Sequence, residues 1–246
     1  MQFFDLVTIS ERFMEIVNPS TPEKLLTVGR FLRLRQGSRV IDFGCGYGEA
    51  LVLWAEHFGI SGVGIDVREA ACARARKKIS ERALSDRIEI VCGKGQDYSF
   101  DEQSFDAAAC IGASFIWGGY RPTLSAMKRA IRAEGRLVIG EPYWLSDKVD
   151  PEYAEAQKDV HTEYELLEMT RAEGFDVEYV VRASHDDWDR YEADNWHGLI
   201  RWLEENPDHP ERQDVIDHFH KYQDEYFRYG RQCMGWGMYV LAPISR

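Results

Sequence analysis

From residue 39 onward, short apolar runs alternate with longer amphipathic stretches. The runs have the length of buried strands, and the stretches between them space their apolar residues as a helix face requires. The predicted strands are 40–43, 62–66, 88–92, 106–111, 135–140, 177–183 and 235–241. The predicted helices between them are 49–58, 69–83, 122–133 and 163–173. This alternation predicts right-handed βαβ units and an α/β fold built on a doubly wound, seven-stranded, mostly parallel sheet.

Two further segments read as helices outside this alternation. Residues 4–17 form an amphipathic stretch that ends at Asn18-Pro19, and Thr21-Pro22 then provides a helix cap with proline at the first helical position. Between the last two predicted strands lie 51 residues in which two apolar stripes follow helical spacing, separated by a turn at 206–210. We therefore expect one domain spanning 1–246, with an N-terminal helical cap element at 1–36 and an inserted helical hairpin at 186–230.

Charge and cysteine content narrow the classes of function. The chain of 246 residues has a net charge of −12, and an acidic excess of this size repels phosphate backbones. Much of the excess falls in 186–230, where 13 acidic residues face 5 basic ones. The sequence contains no 18-residue apolar run, no signal peptide and no CxxC pair among its five cysteines. We expect a cytoplasmic protein that binds neither nucleic acid nor membrane, and the oligomeric state stays open.

The clearest motif follows the first strand, where three glycines alternate along Val40-Ile41-Asp42-Phe43-Gly44-Cys45-Gly46-Tyr47-Gly48. Glycines let the backbone approach a ligand closely, and the helix that follows directs N–H groups at it. Asp66 ends the next strand, where a carboxylate can accept hydrogen bonds from ribose hydroxyls. The pattern predicts a nucleoside-type cofactor. No metal site is expected, because His218 and His220 lie on different sides of a helix.

This strand and glycine loop resemble the first motif of class I S-adenosylmethionine-dependent methyltransferases. The likeness covers nearly the whole chain, and segments such as 139–144, 187–192 and 235–237 look like a bacterial subgroup of small-molecule methyltransferases. The resemblance implies a Rossmann-like methyltransferase fold with an antiparallel last strand, S-adenosylmethionine as cofactor and S-adenosylhomocysteine as product. The implied cofactor-binding residues are Asp42, Gly44, Cys45 and Gly46 around the methionine part, Asp66 by the ribose, Gly95 and Gln96 by the adenine, and in addition Val67 and Cys110. Lys94 departs from the family, which usually has an acid at this position.

The acceptor side follows from the rule that parallel α/β sheets bind ligands at the carboxyl ends of their strands. We expect Glu141 to orient or deprotonate the acceptor, followed as catalytic candidates by His185 and Tyr191. The substrate-binding candidates are Ser114, Trp117, Tyr143, Trp188 and Trp236. The chain lacks an Asn-Pro-Pro-aromatic motif after strand four, which disfavours methylation of amide or exocyclic amino nitrogens. The predicted function is methyl transfer to a small-molecule acceptor. A non-catalytic S-adenosylmethionine-binding protein and, less favoured by the GxGxG spacing, a nicotinamide-dependent oxidoreductase are the alternatives.

Overall fold

A computed structural model describes residues 1–146 and 148–244 of the chain. The helices are α1 (Phe3–Ser10), α2 (Pro22–Phe31), α3 (Glu49–Phe58), α4 (Glu69–Glu81), α5 (Tyr120–Lys128), α6 (Pro151–Ala156), α7 (Glu163–Ala172), α8 (His185–Glu205), α9 (Arg212–Glu225) and α10 (Arg231–Cys233). The strands are β1 (Arg39–Phe43), β2 (Ser61–Asp66), β3 (Ile88–Cys92), β4 (Phe105–Ile111), β5 (Ile131–Trp144), β6 (His161–Thr162), β7 (Phe175–Arg182) and β8 (Met234–Pro243).

The sheet has the order β3-β2-β1-β4-β5-β8-β7. The first five strands in this order, β3, β2, β1, β4 and β5, pair in parallel. Strand β8 runs antiparallel to both of its neighbours, β5 and β7. This confirms the doubly wound fold, its seven main strands and the reversed last strand. The two-residue strand β6, which pairs in parallel with the end of β5, is an eighth strand that the sequence pattern does not predict.

The sheet separates two layers of buried side chains. The layer on one side lies between the sheet and helices α2, α3 and α4, and it includes Leu25, Trp54 and Val240. The layer on the other side includes Phe43, Leu124 and Phe175. Trp54 is fully buried, and its indole N–H donates to the Leu25 carbonyl oxygen across 2.8 Å. This bond joins α3 to α2, so the N-terminal segment is fixed against the sheet layer.

The N-terminal helix is shorter than predicted, since it ends at Ser10 rather than near Val17. The guanidinium of Arg74, on α4, donates to the carbonyl oxygens of Arg12 and Met14. Those carbonyls therefore have partners outside a helix, and the chain can turn away at Glu11 without leaving them unsatisfied.

A helix was also missed in the acidic connection between β5 and β7. Asp150 caps α6 by accepting hydrogen bonds from the backbone N–H groups of Glu152 and Tyr153, and Pro151 occupies its first position. Tyr153 is buried and stacks on Tyr229 with ring centroids 4.7 Å apart. The Asp-Pro cap signal is present in the sequence, but the single helical turn is too short to show apolar periodicity.

The hairpin predicted between the last two strands is present as α8 and α9. Ser184 and Asp187 form a reciprocal capping box at the start of α8, which explains why the helix begins at His185. A π-helical turn over Tyr226–Gly230 follows α9 and leads through α10 into β8.

Candidate active site

The glycine loop lies between β1 and α3 at the carboxyl edge of the sheet. Gly44, Gly46 and Gly48 all have positive φ values, 72°, 54° and 71°. A Cβ atom on Gly44 would lie 2.3 Å from the Cβ of Ala113, so no larger residue fits there. The N–H groups of Gly44 and Cys45 donate to the Ile65 carbonyl oxygen at 2.8 and 3.1 Å. The loop is thereby held against the end of β2, next to Asp66.

Asp66 is 7% exposed and has several donors around its carboxylate. It accepts hydrogen bonds of 2.9 Å from the backbone N–H groups of Gly46 and Arg68. The Arg68 guanidinium lies 3.4 Å from Asp66 and 2.7 Å from Glu11, which follows α1. The end of β2, the glycine loop and the N-terminal segment are therefore joined through one carboxylate.

Asp42 lies deeper, at the end of β1, and is 3% exposed. Burial, together with the nearby charge of Asp66, raises the pKa of Asp42 to about 8. Burial also raises the pKa of Glu11, even though Arg68 stabilises its charged form. Both groups lose hydration that a bound cation or hydrogen-bond donor could replace.

A cavity of about 550 Å³ opens above this edge of the sheet. Its floor is formed by residues at strand ends and in the loops that follow them, among them Gly44, Asp66, Val67, Arg68, Gly93, Lys94, Gly95, Gln96, Gly112, Ala113 and Ile116. We call the helical side of the cavity the roof; it consists of Phe3, Phe4 and Val7 of α1, Tyr191, Glu192, Asn195, Trp196 and Leu199 of α8, and His218 and Tyr222 of α9. A volume in this range suits a small-molecule ligand.

A smaller cavity of about 30 Å³ adjoins it and shares Val17, Gly44 and Ile111 with the larger one. Asn18, Asp42, Cys45 and other residues line it. The Asn18 side-chain oxygen is buried without a hydrogen-bond partner among the described residues. An orphaned acceptor beside the glycine loop is a position where a ligand donor can bind.

Most of the cofactor-side predictions fall at these two cavities. Gly44, Asp66, Val67, Gly95 and Gln96 line the larger one, and Asp42 and Cys45 line the smaller. Gly46 contributes its N–H to Asp66. The Gln96 amide donates to the Ile116 carbonyl oxygen, which fixes the loop after β3 against the loop after β4. Cys110 is fully buried in the core and its side chain lines neither cavity.

The predicted acceptor-side residues are more scattered. Tyr191 alone lines the larger cavity, in its roof. His185 is exposed at the start of α8, and Trp117 packs edge-on against Phe43 with ring centroids 4.9 Å apart. Trp188 packs near the core and donates to the Glu192 carboxylate across 3.2 Å.

Two more of the candidates point into the layers around the sheet. Tyr143 and Trp236 are 5% and 4% exposed and belong to opposite faces of the sheet. A Cβ on Gly235 would lie 2.4 Å from the Tyr143 ring, and one on Gly140 would lie 2.9 Å from the Trp236 ring. These glycines are therefore explained by aromatic packing rather than by the close approach of a ligand.

Glu141 on β5 and Ser114, which follows β4, are both buried and lie in contact with each other. Burial raises the pKa of Glu141 to about 7, and the Ser114 hydroxyl moderates that shift. One Glu141 oxygen is buried without a partner among the described residues. The Glu141 carboxyl lines neither cavity in this conformation, so its assignment as the catalytic residue stays a prediction.

The roof is the part of the site that sequence reasoning largely missed. On α8 its residues recur at 191, 195 and 199 and at 192 and 196, and on α9 at 218 and 222, so each helix presents one face. The Trp196 indole N–H is buried without an acceptor in the described part of the chain. The helical periodicity was visible in the sequence, but it does not distinguish a cavity-facing stripe from a core-facing one.

The described residues, 1–146 and 148–244, contain neither a metal-binding cluster nor a membrane-spanning helix. No group of three or more His, Cys, Asp or Glu residues in that part of the chain could hold a metal ion. None of its helices combines the length and apolar character needed to cross a bilayer.

The fold, the glycine loop and the placement of Asp66 agree with the result of comparison to known proteins: the chain belongs to the S-adenosylmethionine-dependent methyltransferases. The family described as "Methyltransferase domain" matches residues 40–135, from β1 to the start of β5.

Particular relatives match over nearly the full chain. The uncharacterized protein YjhP of Escherichia coli (strain K12) is 36% identical over 241 residues, which are 96% of this chain and 97% of the relative. A SAM-dependent methyltransferase from Thiobacillus denitrificans, solved in complex with S-adenosyl-L-homocysteine, is 34% identical with a TM-score of 0.91, covering 99% of this chain and 100% of its own. Another from Geobacter sulfurreducens, solved with the same ligand, is 38% identical with a TM-score of 0.91 and 98% coverage of both chains.

Proposed function

We propose that the protein transfers the methyl group of S-adenosylmethionine to a small-molecule acceptor inside the cavity. The observation that carries this proposal is the cavity itself, which begins at the glycine loop and Asp66 and is covered by the helices of the roof. When bound, S-adenosylmethionine supplies a methyl group on a positively charged sulfur, already activated for attack. Two solved relatives that cover almost the whole chain contain S-adenosylhomocysteine, which supports the cofactor assignment.

The residues at the floor fit such a cofactor. Gly44 leaves a cradle that any side chain would fill, as its contact with Ala113 requires. The unpartnered Asn18 oxygen and the buried Asp42 carboxyl would hold the amino group of the methionine part. Asp66 would accept hydrogen bonds from the ribose hydroxyls, and Gly95 and Gln96 would border the adenine.

Adenine recognition would not use the acidic side chain that the family usually places at position 94. Lys94 is exposed at the cavity rim, and backbone groups of Gly95 or a shifted contact from Gln96 or Asp97 would take the place of that acid. The hydrogen bond from the Gln96 amide to the Ile116 carbonyl oxygen would keep this loop in position for the base.

The residues around the reacting groups mainly align them and exclude water. Holding two reactants in the correct geometry can supply ~7–11 kcal/mol of the barrier. The roof would serve this purpose, with the N-terminal segment 1–36 and the hairpin 186–230 acting as a cap on one catalytic domain. A covered cavity of this volume favours a small molecule over a macromolecular acceptor, and the net charge of −12 disfavours nucleic acid.

Calorimetry with S-adenosylhomocysteine tests the cofactor assignment. We expect binding at or below the micromolar range, and we expect Asp66→Ala to weaken it by at least ~1.5 kcal/mol, since hydrogen bonds to a charged group contribute ~1.5–3 kcal/mol. Asp66→Asn should restore part of the loss. Asp101→Ala, an exposed carboxylate outside the cavity, is the matched control and should change nothing. Folded protein that binds no ligand at hundreds of micromolar would contradict the proposal.

Incubation with methyl-labelled cofactor and a cell extract tests the acceptor class. Label in a dialysable product that separates from the cofactor by chromatography supports a small-molecule acceptor, whereas label retained on protein or nucleic acid contradicts it. A protein that binds S-adenosylhomocysteine but releases none from S-adenosylmethionine above background would instead be a non-catalytic binder.

A further inference from the structure

Three carboxylates line the larger cavity, and they differ in whether a cation pairs with them. Two acidic side chains of the floor side, Glu11 and Asp66, share the Arg68 guanidinium. The remaining carboxylate of the cavity lining, Glu192 on α8, has no cationic partner in the described residues. It accepts one hydrogen bond, from the Trp188 indole N–H at 3.2 Å.

The groups that face Glu192 are acidic or uncharged. Glu225, on α9, adds negative charge. The charge of Glu192 contributes to the raised pKa values of four nearby tyrosines, which are Tyr153, Tyr191, Tyr222 and Tyr226. Burial and Glu225 raise the pKa of Glu192 to about 7, although the Trp188 hydrogen bond opposes the shift. A carboxylate in this environment is stabilised by a cation that reaches it.

The rest of the roof suits a cation, since it contains no lysine or arginine to pair with an anion. Phe3, Phe4, Tyr191, Trp196 and Tyr222 bring aromatic rings to the cavity lining. Ring faces attract ammonium groups, most strongly where water is excluded. The titratable imidazole of the roof, His218, has its pKa lowered by burial and by Lys221, so it is uncharged at neutral pH.

We propose that the acceptor is a primary or secondary amine that enters the cavity as an ammonium ion and is bound by Glu192 among the aromatic rings of the roof. This inference rests on the proposed function and names the acceptor class of that same site. It also makes Glu192 a residue that contacts substrate, in addition to the candidates predicted from strand ends.

The chemistry balances with the groups present. The ammonium ion gives one proton to the Glu192 carboxylate, which leaves a nitrogen lone pair free to attack. The nitrogen–carbon bond forms as the sulfur–carbon bond of S-adenosylmethionine breaks, and the sulfur keeps that electron pair to give neutral S-adenosylhomocysteine. The methylated amine carries the positive charge, and the proton on Glu192 passes to solvent when the product leaves.

Three probes of similar size and different charge test the proposal: benzylamine, benzyl alcohol and benzoate. Each is titrated at pH 7.5 into protein saturated with S-adenosylhomocysteine, which prevents turnover. We expect benzylamine to bind at least about tenfold more tightly than benzyl alcohol and benzoate to bind weakest, because the carboxylate and the aromatic faces both favour the cation. Glu192→Gln, which keeps the shape of the side chain, should remove the preference for benzylamine.

Asp194→Asn is the matched control, because Asp194 is an exposed acid on the same helix outside the cavity. It changes the net charge as Glu192→Gln does and should leave the preference intact. Equal binding of benzylamine and benzyl alcohol, or no detectable binding of either, overturns the proposal. So does a preference that survives in folded Glu192→Gln. Failure of S-adenosylhomocysteine to bind in the first step is a separate result, which overturns the proposed function instead.

Discussion

The contact between Lys24 on α2 and Asp187 on α8 gives the sharpest test of how the N-terminal segment holds the hairpin. The Lys24 ammonium pairs with an Asp187 oxygen, and the Ser184 N–H and hydroxyl donate to the same oxygen at 2.8 and 2.6 Å. Arg190 adds a link of its own, donating to the Ser20 carbonyl oxygen across 2.8 Å. Asp187 thus closes the capping box of α8 and joins two segments that are far apart in sequence.

The pKa of Asp187 gives the magnitude. Burial alone would raise it, but the hydrogen bonds from Lys24 and Ser184 lower it to about 2. The ordinary value in an unfolded chain is ~3.9, and a difference of this size corresponds to about 2 kcal/mol of folding free energy. Because the folded-state pKa is depressed, this contribution is present above pH ~4 and is lost as the pH falls from ~4 through about 2.

We therefore expect Asp187→Asn to lower the free energy of unfolding at pH 7 by about 2 kcal/mol, which for a chain of this size is roughly 4–8 °C in melting temperature. The measurement is urea unfolding of variant and wild type between pH 2 and pH 7, and the difference should shrink below pH ~4. Asp186→Asn is the control, since Asp186 is exposed in the same helical turn and lacks the contact to Lys24. A constant difference across this pH range, or an equal effect of the control, would refute the reasoning.

Two further predictions concern the glycine loop and Glu141. Gly44→Ala should weaken S-adenosylhomocysteine binding at least about tenfold, because the added Cβ meets Ala113 at 2.3 Å. Gly37→Ala is the control, because Gly37 has a similar positive φ but open space around it. It should lower the free energy of unfolding only by the ~1–2 kcal/mol of backbone strain and leave binding unchanged. Glu141→Gln should stabilise the protein relative to wild type by at least ~1 kcal/mol more at pH 8 than at pH 5. The reason is that the pKa of Glu141 is raised to about 7 in the folded protein, so its ionisation favours the unfolded chain as the pH rises. Urea unfolding at both pH values measures the difference, and an equal effect at the two values would contradict the prediction.

The floor of the site could be predicted because local rules determine it. The alternating glycines adopt positive φ values, which glycine reaches without a side-chain clash, and Asp66 ends a strand whose apolar pattern is plain. Parallel pairing then brings the ends of β1 and β2 together without any further information.

The acceptor side could not be predicted from strand ends alone, because a strand end does not say which way a side chain points. Side chains alternate along a strand, so Trp236, Met238 and Val240 share one buried face of β8. Glu141 likewise shares a face of β5 with Ile139 and Tyr143, both buried on the opposite side of the sheet from Trp236. Alternation visible in the sequence could have assigned these residues to the packing layers.

The roof depends on contacts between segments nearly two hundred residues apart, which no local pattern encodes. The feature of the sequence that relates to the roof is the acidic excess of the hairpin, and several of these acids form ion pairs in the structure. Acidic residues of 184–225 pair with cations of the N-terminal segment; these pairs are Asp187 with Lys24, Glu205 with Arg12, and Glu211 and Asp214 with the Met1 ammonium.

The acidic excess therefore has two separate uses. Part of it fastens the hairpin to the N-terminal segment, and Asp189 pairs with Arg231 of α10 at 2.8 Å. Glu192 stands apart from these pairs, because it turns toward the cavity and its hydrogen-bond partner, Trp188, carries no charge. A solvated acidic face would leave its carboxylates in water, whereas here one is desolvated beside aromatic rings in the cavity. This one cavity-facing carboxylate, rather than the net charge of the hairpin, is therefore the basis of the proposed preference for a cationic acceptor.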